Sequence, residues 1–325
     1  MTPDAPTPLT AANAVEAAPL PRLGHRLEYA GFRFAFALFA ALPREIALRF
    51  GAWLGELFYL FDARDRRIAM LNLSVAFPEK SVNERRGILR ASCRNLGRVV
   101  AEFCHLPELT AENLSSIVTF ADRPAWEHVI ASAAERGAVI LTAHFGNWEL
   151  LAYLHGLLGH PITLVHRPMH NLRFDDAITA VRTKAGTRAI KKKAAAKEAI
   201  RALRRHDILV IPSDQNQTHN FGVFVDFFGK PASTTPGAAR LSMLTGAPVF
   251  PAFLVRQGES GHHRIVTLPE VEMVRTDDRN ADVITNTQRC SLVVEEMIRR
   301  YPEQWIWFHK RWKTRPKGDP IFYPQ

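Results

Sequence analysis

The stretch 138–158 constrains the fold more than any other part of the chain. Ala138-Val-Ile-Leu-Thr-Ala143 is a short, mostly apolar run of the kind that forms a buried strand. Gly146 and Asn147 break the run, and the apolar-rich stretch 148–158 reads as a helix. In open α/β sheets, ligands bind at the carboxyl ends of the strands. His144 sits at such an end, and Glu149 falls in the first turn of the following helix. A carboxylate near an imidazole fixes its tautomer, raises its basicity and stabilises the cation formed when it takes a proton. The competing reading is a strand-end histidine satisfied by a backbone carbonyl, with Glu149 a solvated acid favoured by the helix dipole.

The rest of the chain repeats this alternation. Helical periodicity covers 84–103, 124–136, 173–184, 194–205, 236–245 and 283–300, and β-type runs cover 162–166, 208–213, 249–255 and 264–268. The pattern predicts an α/β fold with a largely parallel sheet covered by helices. No internal repeat or Gly/Ser linker divides it. With 325 residues, 47% of them hydrophobic, the chain suits one large domain or two small ones.

The net charge of +10 points to an anionic partner. Cys93, Cys104 and Cys290 are widely spaced and form no CxxC pair, so they read as reduced core residues without a disulfide frame or a thiolate zinc site. Residues 1–21, rich in Ala, Pro and Thr, read as a disordered tail without a secretion signal. Residues 22–62 form a separate unit. Positions 29–42 are dense in Phe, Ala and Leu. After Pro43 the apolar residues Ile46, Phe50, Trp53, Leu54 and Leu57 recur at helical spacing, with Glu45, Arg49 and Glu56 on the other side. No charge-free run reaches the roughly 18 residues of a spanning helix. These residues read as helices lying on a bilayer, with Arg22, Arg26 and Arg33 toward anionic headgroups, or as a hairpin packed on a soluble domain. Residues 63–325 read as the main domain, which carries His144 and would be the catalytic one if that histidine is a base.

Three further segments hold polar groups. Arg167 follows the run 162–166, where it can grip a phosphate or serve as an ordinary loop arginine. Asp214 and Gln215 follow the run 208–213 and precede an apolar segment and Thr234-Thr235-Pro236. There Thr235 reads as a helix N-cap, while Asp214 has no structural explanation. In residues 301–316, Trp and basic side chains interleave, which suits a membrane interface or base stacking. The basic tract 182–205, with Lys191, Lys192 and Lys193, reads as a solvated helix face. His262 and His263 lack acidic or Cys neighbours in sequence and read as surface residues.

His144 with Glu149, Arg167-Pro168, Asp214-Gln215 ahead of Phe227-Phe228-Gly229 and Thr234-Thr235-Pro236, and the ending Pro302-Glu-Gln-Trp305 through Pro316 occur together in one order. From about Leu27 to Pro316, including Asn72-Leu-Ser-Val-Ala-Phe-Pro78, the chain resembles the bacterial lipid A biosynthesis acyltransferases. Many members carry a second aspartate where this chain has Asn216, so only Asp214 is carried over. The resemblance implies a glycerophosphate-acyltransferase-like α/β fold at the cytoplasmic face of the inner membrane. It implies an acyl chain taken from acyl carrier protein, or from coenzyme A, and passed to an anionic glycolipid acceptor beside inner-membrane phospholipids. No metal or resident cofactor is expected.

On this reading His144 is the general base, Glu149 stabilises its cation, Arg167 contacts phosphate, and Asp214 and Gln215 order the substrate site. Backbone N–H groups at the helix start after Gly146 are candidates to hold the oxyanion. A lysophospholipid, an amino-acid lipid or a phosphoinositide mannoside is an alternative acceptor. A non-catalytic basic protein binding membrane or nucleic acid is the remote alternative, and no nucleic-acid-binding motif is present.

Overall fold

The structure, a computed structural model, describes residues 23–166, 169–191 and 195–323, without the side chains of His166, Lys191 and Ala195. The expected tail 1–21, Arg22, Arg167, Lys192, Lys193 and the side chain of Lys191 lie outside the described residues.

Seven strands form the main sheet: β1 (Val118–Phe120), β2 (Ala138–Thr142), β3 (Ile162–His166), β4 (Arg188–Lys191), β5 (Ile208–Pro212), β8 (Val249–Arg256) and β9 (His263–Thr267), in the order β1-β9-β8-β2-β5-β3-β4. The block β8-β2-β5-β3-β4 is parallel throughout. β9 runs antiparallel to β8, and β1 parallels β9. The largely parallel sheet expected from the sequence is therefore observed, with two reversed strands at one edge. β2 and β8 are buried along their whole length, as befits strands covered on both faces.

The segment 221–234, which carried no helix or strand expectation, forms a hairpin of β6 (Val223–Phe227) and β7 (Lys230–Thr234). Its two-residue turn places Phe228 and Gly229 at positive φ. Helix α10 (Gly237–Thr245) follows with Pro236, not Thr235, at the N-cap, although Thr235 Oγ1 still accepts from the Gly237 N–H at 3.3 Å.

The amino-terminal helices α1 (Leu23–Ala41) and α2 (Arg44–Phe61) pack on α4 (Val82–His105). Between them, in residues the sequence left without an element, lies α3 (Ala63–Ala76). Contact between α2 and α4 is backbone to backbone. A Cβ placed on Gly97 would lie 1.9 Å from the Gly51 carbonyl oxygen, and one on Gly55 would lie 2.1 Å from that of Cys93.

Behind this contact sits the buried carboxylate of Glu102 in α4. It takes Arg44 of α2 at 2.9 Å, Arg256 of β8 at 2.6 Å and His263 Nε2 of β9 at 2.9 Å. It also accepts from Asn147 Nδ2 at 2.7 Å. Burial opposes its charge, but His263 and Arg256 more than offset that and hold the carboxyl well below the usual carboxylate range. His263, expected at the surface, is thus fully buried, because its acid partner comes from a helix remote in sequence. The carboxyl-terminal segment is corrected in the same way. Trp305, Trp307, Trp312 and Arg311 are core residues, not an exposed aromatic-basic strip. Asn72 of α3 holds this segment by donating to the carbonyls of Trp307 and His309. The three cysteines are free and buried, as expected.

Two predictions follow from the α2–α4 contact and the Glu102 hub. Gly97→Ala should destabilise the protein by about 1–3 kcal/mol through overpacking, although alanine is the better helix former. Gly87→Ala on the same helix, where an added Cβ meets nothing, should stabilise by up to about 1 kcal/mol. Thermal or denaturant unfolding distinguishes the signs. Glu102→Gln should cost about 3–5 kcal/mol by leaving buried cations unpaired. Because the folded carboxyl is depressed, the wild-type contribution is complete above the unfolded pKa of about 4.3 and declines as pH falls below it. Unfolding curves of wild type and variant should therefore converge toward acid pH.

Candidate active site

β2 and β5 end level. Thr142 lies opposite Pro212, and the Ser213 N–H donates to the Thr142 carbonyl at 3.0 Å. The residues just beyond these ends, His144 and Asp214, meet. His144 Nδ1 lies 2.9 Å from Asp214 Oδ1, and the His144 backbone N–H donates to Oδ2 at 3.1 Å. The Trp305 indole N–H donates to the same Oδ2 at 2.8 Å. Because Asp214 is ionised it only accepts, so the proton of neutral His144 is assigned to Nδ1 and the lone pair to Nε2. Gln215 is consistent with that tautomer: its amide Nε2 lies 3.3 Å from His144 Nε2.

Electrostatics reinforce the pair. Burial works against the Asp214 charge, but the charge and hydrogen bond of His144 and the Trp305 bond outweigh it and hold the carboxyl at about 2. For His144, burial disfavours the cation. The Asp214 charge and hydrogen bond, with Glu149 adding at longer range, reverse this and raise the imidazole above its ordinary value. His144 stays partly open to solvent while Asp214 is sealed, at 25% and 3% side-chain exposure. The site therefore has a fixed acid behind the imidazole, while the ring itself stays partly exposed.

Glu149 does not make the contact that its spacing suggested. It lies in the first turn of α7 (Trp148–Leu157), where Arg182 of α8 (Leu172–Thr183) clamps it with two donors, one of them Nε at 2.8 Å from Oε2. The Trp148 indole N–H adds a bond at 3.1 Å to Oε1. The reason is topological. β5 is the bonded neighbour of β2 and delivers Asp214 to the strand end, whereas Glu149 lies one turn out, against a cation on the adjacent helix.

The turn between β2 and α7 is held from behind. Gly146 has φ +58°, and a Cβ there would lie 1.9 Å from the Leu254 carbonyl oxygen. Its N–H donates to the Gln304 carbonyl at 2.8 Å, and the Asn147 N–H donates to that of Leu254 at 3.1 Å. Among the N–H groups after Gly146 that were candidates to hold an oxyanion, that of Asn147 is thus engaged by the fold. Asn147 caps α7 by accepting from the Leu150 N–H at 3.0 Å, while its Nδ2 donates to Glu102. This links the His144 turn directly to the buried hub.

Asn216, where many family members carry an acid, uses both ends of its amide. Nδ2 donates to Thr314 Oγ1 at 3.0 Å, and Oδ1 accepts from the Thr314 N–H at 2.9 Å. An aspartate can accept the second bond but cannot donate the first. The Asn216 N–H donates to His309 Nε2 at 2.9 Å; burial brings that imidazole down to about 4, so it is neutral and able to accept.

His144, Asp214 and Gln215 are brought together, with Glu149 beside them through Arg182. Arg167 falls outside the described residues. Sequence reasoning missed Arg182, which no local pattern marks, and the role of Trp305, whose burial against Asp214 is a long-range contact. Among the described residues, no group of three His, Cys, Asp or Glu side chains is placed to hold a metal ion.

Comparison with known proteins identifies the family. The profile of the family described as bacterial lipid A biosynthesis acyltransferase matches residues 23–314. The lipid A biosynthesis palmitoleoyltransferase of Escherichia coli K12 is 27% identical over 291 residues, covering 88% of this chain and 91% of that protein. The lauroyltransferase of the same strain is 28% identical with the same coverage. Its myristoyltransferase is 26% identical over 274 residues, covering 84% of this chain and 82% of that protein. With the family profile spanning the sheet, the His144 turn and the segment that carries Trp305, the chain belongs to the bacterial lipid A biosynthesis acyltransferase family and is an acyltransferase.

Proposed function

We propose that this acyltransferase moves a fatty acyl chain from a thioester, on acyl carrier protein or coenzyme A, to a hydroxyl of a lipid A precursor. The observation that carries the chemistry is the His144 imidazole held through Nδ1 by buried Asp214, an arrangement that leaves the Nε2 lone pair free to accept in the neutral ring. A hydroxyl near neutral pH is a poor nucleophile and needs a positioned base. His144 Nε2 takes its proton as the oxygen attacks the thioester carbonyl, and Asp214 stabilises the imidazolium. Collapse of the tetrahedral intermediate breaks the C–S bond, and the proton passes from Nε2 to the departing sulfur. Gln215 yields its place at Nε2 to the acceptor hydroxyl. Glu149 supports the cation by its charge and fixes the Arg182 guanidinium at the mouth of the site. Arg167 is assigned a phosphate of the acceptor, on its place after β3. The lipid A acceptor is favoured over other lipids because all three relatives are lipid A biosynthesis acyltransferases.

Membrane attachment is part of the same proposal. Leu23, Leu27, Phe34 and Leu38 form an exposed row on α1, and Ile46, Trp53, Leu60 and Phe61 continue it on α2. No described helix is long and apolar enough to cross a membrane. These faces suit helices lying in the interface of the inner membrane on its cytoplasmic side, with Arg26 and Arg33 at headgroup level.

Purified protein acting on a defined precursor tests the chemistry. His144→Ala should abolish transfer, and Glu149→Gln should cost roughly 10²-fold, the usual scale for assisted proton transfer. Asp214→Asn is more diagnostic. Two N–H donors face Oδ2, so the amide oxygen will settle there and turn its NH₂ toward Nδ1, forcing the unproductive tautomer. A loss of about 10²–10⁴-fold in kcat is expected. Losing the carboxylate charge also lowers the imidazole pKa, so the acidic limb of the residual activity should move to lower pH. Near-normal turnover by His144→Ala overturns the mechanism, and an unmoved limb overturns the role of Asp214.

For the membrane, Phe34→Ser with Leu38→Ser and Phe61→Ser should release the chain from phosphatidylcholine vesicles while leaving the fold intact. Unchanged sedimentation with vesicles contradicts the interfacial reading.

A further inference from the structure

A second basic site lies away from His144, in a cavity of about 550 Å³ between α2, α4 and the loop joining β8 to β9. Arg90, Arg94 and Arg98 stand one helical turn apart along a single face of α4 and line it, with Arg49 of α2 opposite. Arg94 and Arg98 converge on one oxygen, Glu259 Oε2, at 2.9 and 3.1 Å. That loop carboxylate is 64% exposed, so it holds the two guanidiniums only weakly. Arg90 pairs with Glu56 at 2.5 Å. Arg49 is exposed and makes no ion pair among the described residues. Glu45 completes the charged lining.

The cavity opens beside the apolar face of α2. Trp53, 53% exposed, belongs to both: it lines the cavity and stacks on Phe50 at 5.6 Å between ring centroids. None of His144, Glu149, Asp214 and Gln215 lines this space, so the reacting groups do not account for its charge.

We propose that this cavity binds the phosphate of an anionic membrane phospholipid, a phosphatidylglycerol-type headgroup, while the acyl chains run along the face marked by Trp53. The inference rests on the interfacial reading of α1 and α2. Three observations support the occupant. Two guanidiniums meet at one oxygen, the arrangement that suits a phosphate oxygen, and arginine offers its fork where lysine offers only a point charge. The anion now there is an exposed loop carboxylate that a phosphate can replace without breaking the fold. The volume falls within the usual range for small-ligand pockets, and its rim is continuous with an apolar surface, as a two-part lipid requires. Phosphate in the cavity would hold α2 at a defined depth and rotation against the bilayer. The same hub that receives Arg44 and Asn147 ties this helix to the His144 turn.

The test uses the full chain in non-ionic detergent, titrated with dihexanoyl phosphatidylglycerol below its micelle concentration and followed by tryptophan fluorescence. Trp126, Trp305, Trp307 and Trp312 are buried, and Trp53→Phe identifies the Trp53 signal. Saturation at one site is expected, with dihexanoyl phosphatidylcholine and inorganic phosphate each at least about tenfold weaker. Arg90→Gln with Arg94→Gln should weaken phosphatidylglycerol about tenfold or more, on the scale of headgroup attraction per basic residue. Arg201→Gln with Arg204→Gln on α9 (Ala195–Arg204), an equal loss of charge elsewhere, should change little. Equal affinity for the choline lipid, equal affinity for inorganic phosphate, or an indifferent Arg90/Arg94 variant each overturns the site. Sedimentation with phosphatidylcholine vesicles separates the two readings. The Arg90/Arg94 variant should still sediment; a wild type that does not sediment contradicts the membrane reading, whereas a flat response to the soluble lipid contradicts the headgroup site alone.

Discussion

The carboxylate of Glu102 is the joint on which the arrangement turns. One buried acid takes Arg44 from α2, Arg256 from β8, His263 from β9 and the Asn147 amide at the start of α7. A buried charge is tolerated only when its bonding capacity is filled, and here four partners from four elements fill it. The amino-terminal helices, the reversed sheet edge and the turn that carries His144 are thereby fixed relative to one another. Gly146 and the glycine-lined contact of α2 with α4 let backbone approach backbone around this joint, where any side chain would force a separation.

From that frame the chemistry follows by strand order. Neighbouring parallel strands end at the same level, so the residues just past β2 and β5 are brought together without a special device. His144 and Asp214 occupy those positions, and Trp305, arriving from the other end of the chain, closes the carboxylate from water. The acid is thus ionised, dry and aimed at Nδ1, the arrangement that leaves Nε2 basic. Glu149 and Arg182 form a second ion pair at the same mouth and contribute charge without touching the imidazole.

Much of this was legible in the residues. The apolar run before His144, the helix after it and the parallel sheet follow from period and punctuation, and element ends differ from expectation by a few residues. Asp214 stands unexplained at a strand end with Gln215 beside it, and both meet His144. What was not legible depends on contacts between distant segments. His263 reads as exposed until Glu102 arrives from α4, and the tryptophans of 301–316 read as an interfacial strip until α3, β6 and β7 cover them. The hairpin was hidden because its turn is Phe228-Gly229, not the Asn-Gly or Asp-Gly pair that announces such turns. The partner of Glu149 was hidden because Arg182 is one cation among many in a basic chain, and only helix packing singles it out.

The central claim is that the His144–Asp214 pair acylates a lipid A precursor, and the lipid itself gives the most direct reading. Mass spectrometry of total lipid A should be compared between cells carrying the gene, cells lacking it, and cells in which the His144→Ala form, at matched protein level, replaces it. The expected result is a species lighter by one acyl chain in the last two and restoration by the wild-type gene alone. Identical lipid A in all three, or full restoration by His144→Ala, would contradict it.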